Sequence, residues 1–554
     1  NLQWINHFWE SSHIGTRGII SDREEKYLLL VNGRVMNERT HIGAITERDL
    51  VYLKDIHHID VVRGPGSFIY GPGSVSMVIS ITTHDAKTFE GTEVNARGGV
   101  IEEFTSVEVK HARKWKNAEG GLFLFGGVGS YHGADQGQSP LVNGASDAGY
   151  PGFGSNLNAL GSNYIAGQDA SWDNPHDRES FRGQEPLKFH AQVDYNEWTA
   201  WFRYTRSGNQ TPFPFSSVTN VPAGFGNHVA TDFQHEFGQQ QVTLFAKHDH
   251  EVTDDLRWRT SVSFDSLDYV RQVFFGLLNS HREDEFTART VLSWSGLENH
   301  EVAIGGEFFS NWFGGAPNFV DAPPVNVRLG NNFVPWDAQM YSLFAEDQWR
   351  ATDDFTVFLG GRLDKHIYTP WMFSPRASFV YEASEVATWK FIMSRSVRTN
   401  FDEELRAEFL ATGNPSDPEV SKNLELRYEE ELSEELFWAV STYYTDLDVI
   451  GFANGQTAPI ANQVQWGMEG ELRYQCGDGL LLASHGYTKL LDFTLADPTM
   501  PSFISASGEG FGGDLAQWSN HVTKIAARRP LTDAWSMDGS LRYLWGFPGQ
   551  RDLA

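Results

Sequence analysis

Cysteine is nearly missing from this sequence. Cys476 is the only one in 554 residues, which excludes an internal disulfide framework and any metal site built from several thiolates. Positive charge is also scarce. Lysine and arginine number 43 against 72 aspartates and glutamates, a net charge of −29, and so acidic a chain lacks the basic face a nucleic-acid partner needs. No apolar run approaches the roughly 18 residues of a membrane-spanning helix. That absence leaves a closed β-barrel open, because barrel strands alternate apolar and polar residues and keep mean hydropathy low. The mean hydropathy here is −0.39.

Aromatics and glycine are plentiful. Aromatic residues make up 14% of the chain, with 18 Trp and 39 Phe, and there are 53 Gly. This is too aromatic for disorder, and 21% charged residues is low for a soluble enzyme. The chain opens at Asn1 with neither methionine nor signal peptide, which reads as a processed or incomplete chain.

From about residue 91 onward the dominant period is two. Val464, Trp466, Met468, Leu472 and Tyr474 alternate with Gln465, Gly467, Glu469, Glu471 and Arg473. The same alternation recurs around Trp198–Tyr204, Val302–Phe308, Phe355–Asp364 and Ala387–Met393. A β-sandwich also alternates, so the period alone does not choose between them. The segments are commonly about 10 to 17 residues long, enough to cross a membrane at a tilt. Tight connections near 116–117, 196–197, 253–254, 351–354, 433–435, 477–479 and 532–533 alternate with long ones near 132–186, 207–232, 314–337, 400–420 and 495–517. Short turns on one rim and long loops on the other are the arrangement of an outer-membrane barrel. About 19 strands fit between residues 91 and 554. Trp198, Tyr204, Trp349, Trp389, Trp438 and Trp466 read as interfacial anchors on the lipid face.

The first 90 residues read as a compact α+β domain. Tyr27 to Arg34 is a short buried strand ending in an Asn-Gly turn. Thr46 to Lys54 suits a short helix, and Ile59–Gly66 and Val75–Thr82 are strands around glycine-rich corners. The run from Arg63 to Ser74 lacks the Gly-Lys-Ser/Thr ending of a phosphate-binding loop. No nucleophile motif or zinc-site spacing is present either, so no enzyme is expected.

The run from Val62 to Thr83, with Arg63-Gly64-Pro65 and Tyr70-Gly71, resembles the plug domain of TonB-dependent outer-membrane transporters. Thr16 to Ile19 is similar to that family's Ile-Arg-Gly, and Leu29 to Arg34 to its Leu-Val-Asp-Gly. Met77 and Ser80 depart from the usual glycine and asparagine. Phe344–Trp349, Gly361–Asp364, Ser374–Arg376, Ser394–Arg398, Gly413–Pro415, Ser421–Glu425 and Tyr443–Ile450 follow in the order of the family's barrel.

The resemblance implies a 22-stranded transmembrane antiparallel β-barrel, residues 91–554, occluded by an N-terminal α+β plug, residues 1–90. About three C-terminal strands and the early plug, with the Ton box that binds TonB, are then expected to lie outside this chain. It implies energised uptake of a scarce ligand across the bacterial outer membrane, with a ferric siderophore or similar metal chelate as the default. Outer-membrane lipid and lipopolysaccharide would surround the barrel. The alternative is a plugged barrel serving as a structural or adhesive component of a surface assembly.

Arg17 and Arg63 match plug arginines that pair with barrel glutamates in the family, an interaction that is bidentate and geometrically specific. Glu307, Glu346, Glu469 and Glu471 have lumen-facing parity and are candidate partners. Ligand contacts are expected from plug apices at Pro65, Gly66 and Ser67, from Pro72–Ser74, or from turns such as Asn37–Ile42, which could equally be internal corners. Tyr150, Tyr164 and Trp172 in the long 132–186 loop could stack on a ligand or pack the loop on itself. Asp169, Asp173 and Asp177 are candidate calcium ligands, though their spacing fits no defined loop and a solvated acidic loop is favoured. No other cofactor is expected. The span Arg398–Asn414 lacks the histidine of the family's haem receptors, which disfavours haem.

Overall fold

The computed structural model describes residues 2–6, 12–19, 26–40, 43–44, 47, 52–64, 66–100, 104–131, 185–212, 234–273, 276–318, 324–326, 334–453, 456–496, 504–507, 510–513, 519–532 and 534–546. Among them, antiparallel strands from Gly91–Gly99 to Trp535–Trp545 close into one barrel. The ring has 20 members, one of them the two-residue insert Val325–Asn326, so 19 strands form the wall. This matches the number read from the sequence. No helix among the described residues is long and apolar enough to cross a membrane.

Alternation fixes which side chains face inward. Along Gln456–Cys476 the odd positions Ala461, Gln463, Gln465, Gly467 and Glu469 are buried in the lumen. Trp466 and Met468 point out. Because strand side chains alternate strictly, a one-residue slip would put the glutamates into lipid, so the register is strongly determined. Trp198, Trp349 and Trp389 are exposed on the outer surface, as anchors require.

The inner-rim turns share a local chemistry. Thr253 Oγ1 donates to Asp255, Thr352 Oγ1 to Asp354, and Ser433 Oγ to Glu435, each two residues on. A β-bulge sits at the same place in five of these hairpins, including Glu251/Thr253, Arg350/Thr352 and Glu431/Ser433. Hydroxyl-to-carboxylate pairs of this kind stabilise tight turns. The outer rim departs from the expected strict alternation. Val273 and Gly276, and Ala453 and Gln456, are joined by short links between strands of 18 to 21 residues. The expected loop 400–420 contains a helix, Asp402–Thr412, stopped by Gly413 in the left-handed conformation (φ 75°).

Inside the barrel sits a four-stranded sheet in the order Arg34–Val35, Tyr27–Val31, Met77–Thr83, Ile56–Arg63. Tyr27–Val31 runs parallel to Met77–Thr83 and is buried throughout. One face packs Tyr27, Leu29, Val31, Met77 and Ile81 together. The other packs Leu28, Leu30 and Val78. A sheet buried on both faces suits a continuous apolar run, and the run arises here because the wall covers it. Asn32 (φ 48°) and Gly33 (φ 83°) make the expected turn. Of the proposed helix at Thr46–Lys54, residues 46 and 48–51 lie outside the described residues.

Glycines let plug and wall approach. Phe68, in the short helix Ser67–Tyr70, lies against Gly360, where a Cβ would come within 2.6 Å of its ring. Tyr52 lies against Gly127 in the same way, at 2.8 Å. Its hydroxyl donates to Pro186 O.

Candidate functional site: the plug–barrel interface and the outer apex

The plug is fastened to the wall mainly by charge. Arg17 occupies a left-handed turn (φ 52°) next to Gly18, which aims its guanidinium out of the plug. It donates to both oxygens of Glu425, at 2.8 and 3.1 Å, and to Glu469 Oε2 at 2.8 Å. The Tyr443 ring stacks beneath it, 4.2 Å away. Gly467 makes room for that ring, since a Cβ there would lie 2.2 Å from the Tyr443 hydroxyl. Arg63 ends its strand beside Gly64 (φ 86°) and donates to Glu469 Oε2 at 3.0 Å and to Glu471 Oε1 at 2.5 Å. Burial alone would weaken the positive charge on Arg17. The Glu469 and Glu425 carboxylates outweigh it and raise its pKa further above the usual arginine range.

Three more cross-links surround the plug. Lys26 pairs with Glu419, which also receives Arg398 at 3.1 Å. Arg34 pairs with Asp265 and Glu285. Elsewhere the polarity reverses. Wall residues Arg203 and Lys188 donate to plug carboxylates, Arg203 to Glu47 at 2.6 Å and to Asp55 at 2.9 Å, and Lys188 to Asp55 at 2.9 Å. Burial would raise the Asp55 pKa, but Lys188 and Arg203 hold it down at about 2.

Two of the four expected glutamates do not meet a plug arginine. Glu307 binds the wall arginines Arg362 at 2.7 Å and Arg289 at 3.5 Å. Glu346 has the right parity, yet among the described residues it forms no ion pair with Arg17 or Arg63. Parity gives the face and leaves the height along the barrel open. Glu425, which sequence reasoning passed over, sits level with Arg17; its place in Ser421–Glu425 was the available signal.

Of the plug-apex positions, Gly66 is an internal corner. Its N–H donates to Ser74 O, and a Cβ would lie 2.8 Å from Ser74 Oγ and 2.9 Å from Val78. Ser67 opens the short helix, and Pro65 lies outside the described residues. Tyr150, Tyr164, Trp172, Asp169, Asp173 and Asp177 also lie outside them.

The turn Asn37–Thr40 does reach the outer apex. Asn37 clamps it by donating to Tyr27 O and accepting from Leu29 N–H. Above it, the Asp402 N–H donates to Arg39 O at 3.0 Å, so the outer-loop helix rests on the plug. Aromatics line this region. Phe313 stacks on Trp336 at 4.0 Å, Arg406 lies 5.2 Å over Trp336, and Tyr368 meets Phe409. Arg39 lies 4.5 Å over Phe309. Burial, reinforced by Glu285 and Glu38 against the pull of Arg39, raises the Asp402 pKa to about 7. His366 Nε2 is 3.4 Å from Asp402 Oδ1.

A closed antiparallel barrel filled by its own N-terminal sheet defines a plugged β-barrel. The sequence model of the "TonB dependent receptor-like, beta-barrel" family matches residues 123–551, and the chain belongs to that family. Among solved structures it is similar to the siderophore receptor PirA from Acinetobacter baumannii, with a TM-score of 0.67 and 14% identity over 97% of this chain and 81% of that one. The ferric enterobactin receptor PfeA from Pseudomonas aeruginosa, a mutant form, gives 0.67 and 16% over 98% and 81%. The FrpB iron transporter from Neisseria meningitidis gives 0.70 and 12% over 98% and 82%. No curated protein matches the chain.

Proposed function

We propose that this protein captures a ferric siderophore or similar anionic metal chelate at the cell surface and passes it through the bacterial outer membrane. Residues 1–90 act as the plug and residues 91–554 as the barrel. The observation that carries this reading is the outer apex, where Arg39 and Arg406 lie over the buried rings of Phe309 and Trp336. Guanidiniums at that mouth suit an anionic chelate.

TonB supplies the energy by pulling on the plug. Salt bridges are suited to such a fastening because each is specific in geometry and exchangeable for water once parted. Lipid and lipopolysaccharide surround the aromatic girdles. The test is uptake of radiolabelled iron, presented as a panel of ferric chelates, by cells whose other receptors have been deleted. Accumulation that depends on this chain, on TonB and on the proton gradient supports the reading. Membrane-purified protein that binds none of the chelates but carries stoichiometric protein partners would support a structural role instead.

A further inference from the structure

One cluster at the plug–wall contact is not explained by gripping alone. Glu38 and Thr40 project from the plug turn toward His281 and Glu283 on the strand Gly276–Trp294. A ligand atom from each of Glu38, His281 and Glu283 lies within 4.8 Å of the others, and all three residues are buried. We propose that these three side chains form a site for a divalent first-row transition-metal ion that ties the plug apex to the barrel wall.

The donor set is one imidazole nitrogen and two carboxylate oxygens, a mixture that suits ions such as Zn²⁺, Mn²⁺ or Co²⁺. Glu38 is already oriented as a ligand would be. Its Oε1 accepts from Thr40 N–H at 2.9 Å and its Oε2 from Gly43 N–H at 3.2 Å. Hydrogen bonds of this kind fix metal ligands in place. The Thr40 hydroxyl stands at the centre, contacting Glu38 Oε1, His281 Nε2 at 2.6 Å and Glu283 Oε2 at 2.9 Å. One hydroxyl has one proton, so it cannot donate to both carboxylates. A cation seated beside that hydroxyl would satisfy both carboxylates, with the hydroxyl oxygen, moved outward, as a fourth ligand. Four ligands about 2.1 Å from a tetrahedral ion stand roughly 3.4 Å apart, so binding draws the three side chains together around the ion.

A further observation points to a missing positive charge. Glu283 is 6% exposed, and among the described residues its partners are the Arg39 N–H and the Thr40 hydroxyl, with no lysine or arginine side chain paired to it. Buried carboxylates ordinarily meet a cation.

The test uses the whole chain in detergent, stripped by chelator and titrated with Co²⁺ and then Zn²⁺. Glu197, His248 and His250 form an exposed group that could also take an ion, so the background is E197Q/H248A. We expect one Co²⁺ per chain in that background, with visible ligand-field absorption, displaced by Zn²⁺. E283Q should weaken binding at least tenfold. Should E283Q fail to fold, H281Q serves as the second variant, with circular dichroism confirming the barrel in each. No retained ion in the E197Q/H248A background, or affinity unchanged in folded E283Q or H281Q, would overturn the proposal. The readout is metal content and spectrum, so its outcome is separate from whether the protein imports a chelate.

Discussion

The Glu469 carboxylate lies 2.8 Å from the Arg17 guanidinium, although 452 residues separate the two in the chain. The same oxygen accepts from Arg63 at 3.0 Å. One wall residue thus holds two corners of the plug.

Removing Glu469 should therefore do more than remove one ion pair. We expect E469Q to destabilise seating of the plug by about 3 kcal/mol or more, as breaking a buried pair generally does. R17A should act similarly, because it leaves Glu425 and Glu469 without their shared partner. Thermal unfolding in detergent and proteolysis of the plug measure this. An unchanged transition in both variants would show that the cluster contributes no fastening.

Gly467 and Gly470 provide a matched pair on one strand. A methyl at 467 would lie 2.2 Å from the Tyr443 hydroxyl, whereas nothing lies within 4 Å of one at 470. G467A should displace the ring under Arg17 and destabilise by about 1–3 kcal/mol, the usual range for overpacking. G470A should be close to neutral. Equal effects in unfolding experiments would rule out the packing role of the glycine.

Asp55 gives the cross-links a pH signature. Its folded pKa, about 2, lies below the ordinary aspartate value of 3.8. Its contribution is therefore fully present above about pH 4 and is lost as pH falls toward 2, with a size of roughly 2 kcal/mol. D55N should abolish that part of the acid dependence and lower stability at neutral pH. Unfolding midpoints across the acid range compare the two.

Asp402 has the opposite sign. Its folded pKa of about 7 exceeds the ordinary aspartate value of 3.8, so burial of the helix end is easiest at low pH and weakens as pH rises toward 7. D402N should hold the helix Asp402–Thr412 on the plug more firmly above pH 7, by a few kcal/mol at most. Amide exchange in that helix at two pH values tests it, with slower exchange in D402N at the higher pH as the expected result.

The barrel was legible because lipid and lumen impose strict alternation, as along Val464–Tyr474, and because the inner turns carry a local signature at Thr253–Asp255 and Thr352–Asp354. The partners of Arg17 and Arg63 were only half legible. Glu469 and Glu471 could be read from parity, but Glu307 and Glu346 share that parity at other positions around and along the wall. The stagger of strands sets height, and it is a property of the closed ring that no local segment encodes. The Glu47–Asp55–Lys188–Arg203 cluster escaped for a related reason. Its four charges come from distant segments, and only the seated plug brings them together. The helix at 402–412 was missed because its apolar stripe is weak and it is stabilised by resting on the plug.

Conductance across a planar lipid bilayer tests whether the N-terminal domain stoppers a membrane pore. The intact chain should insert and stay nearly silent. A variant lacking residues 1–90 should open steps of large conductance, and E469Q should show brief openings between these extremes. An intact chain that conducts as freely as the shortened one, or a shortened chain that inserts but stays closed, would contradict the arrangement described.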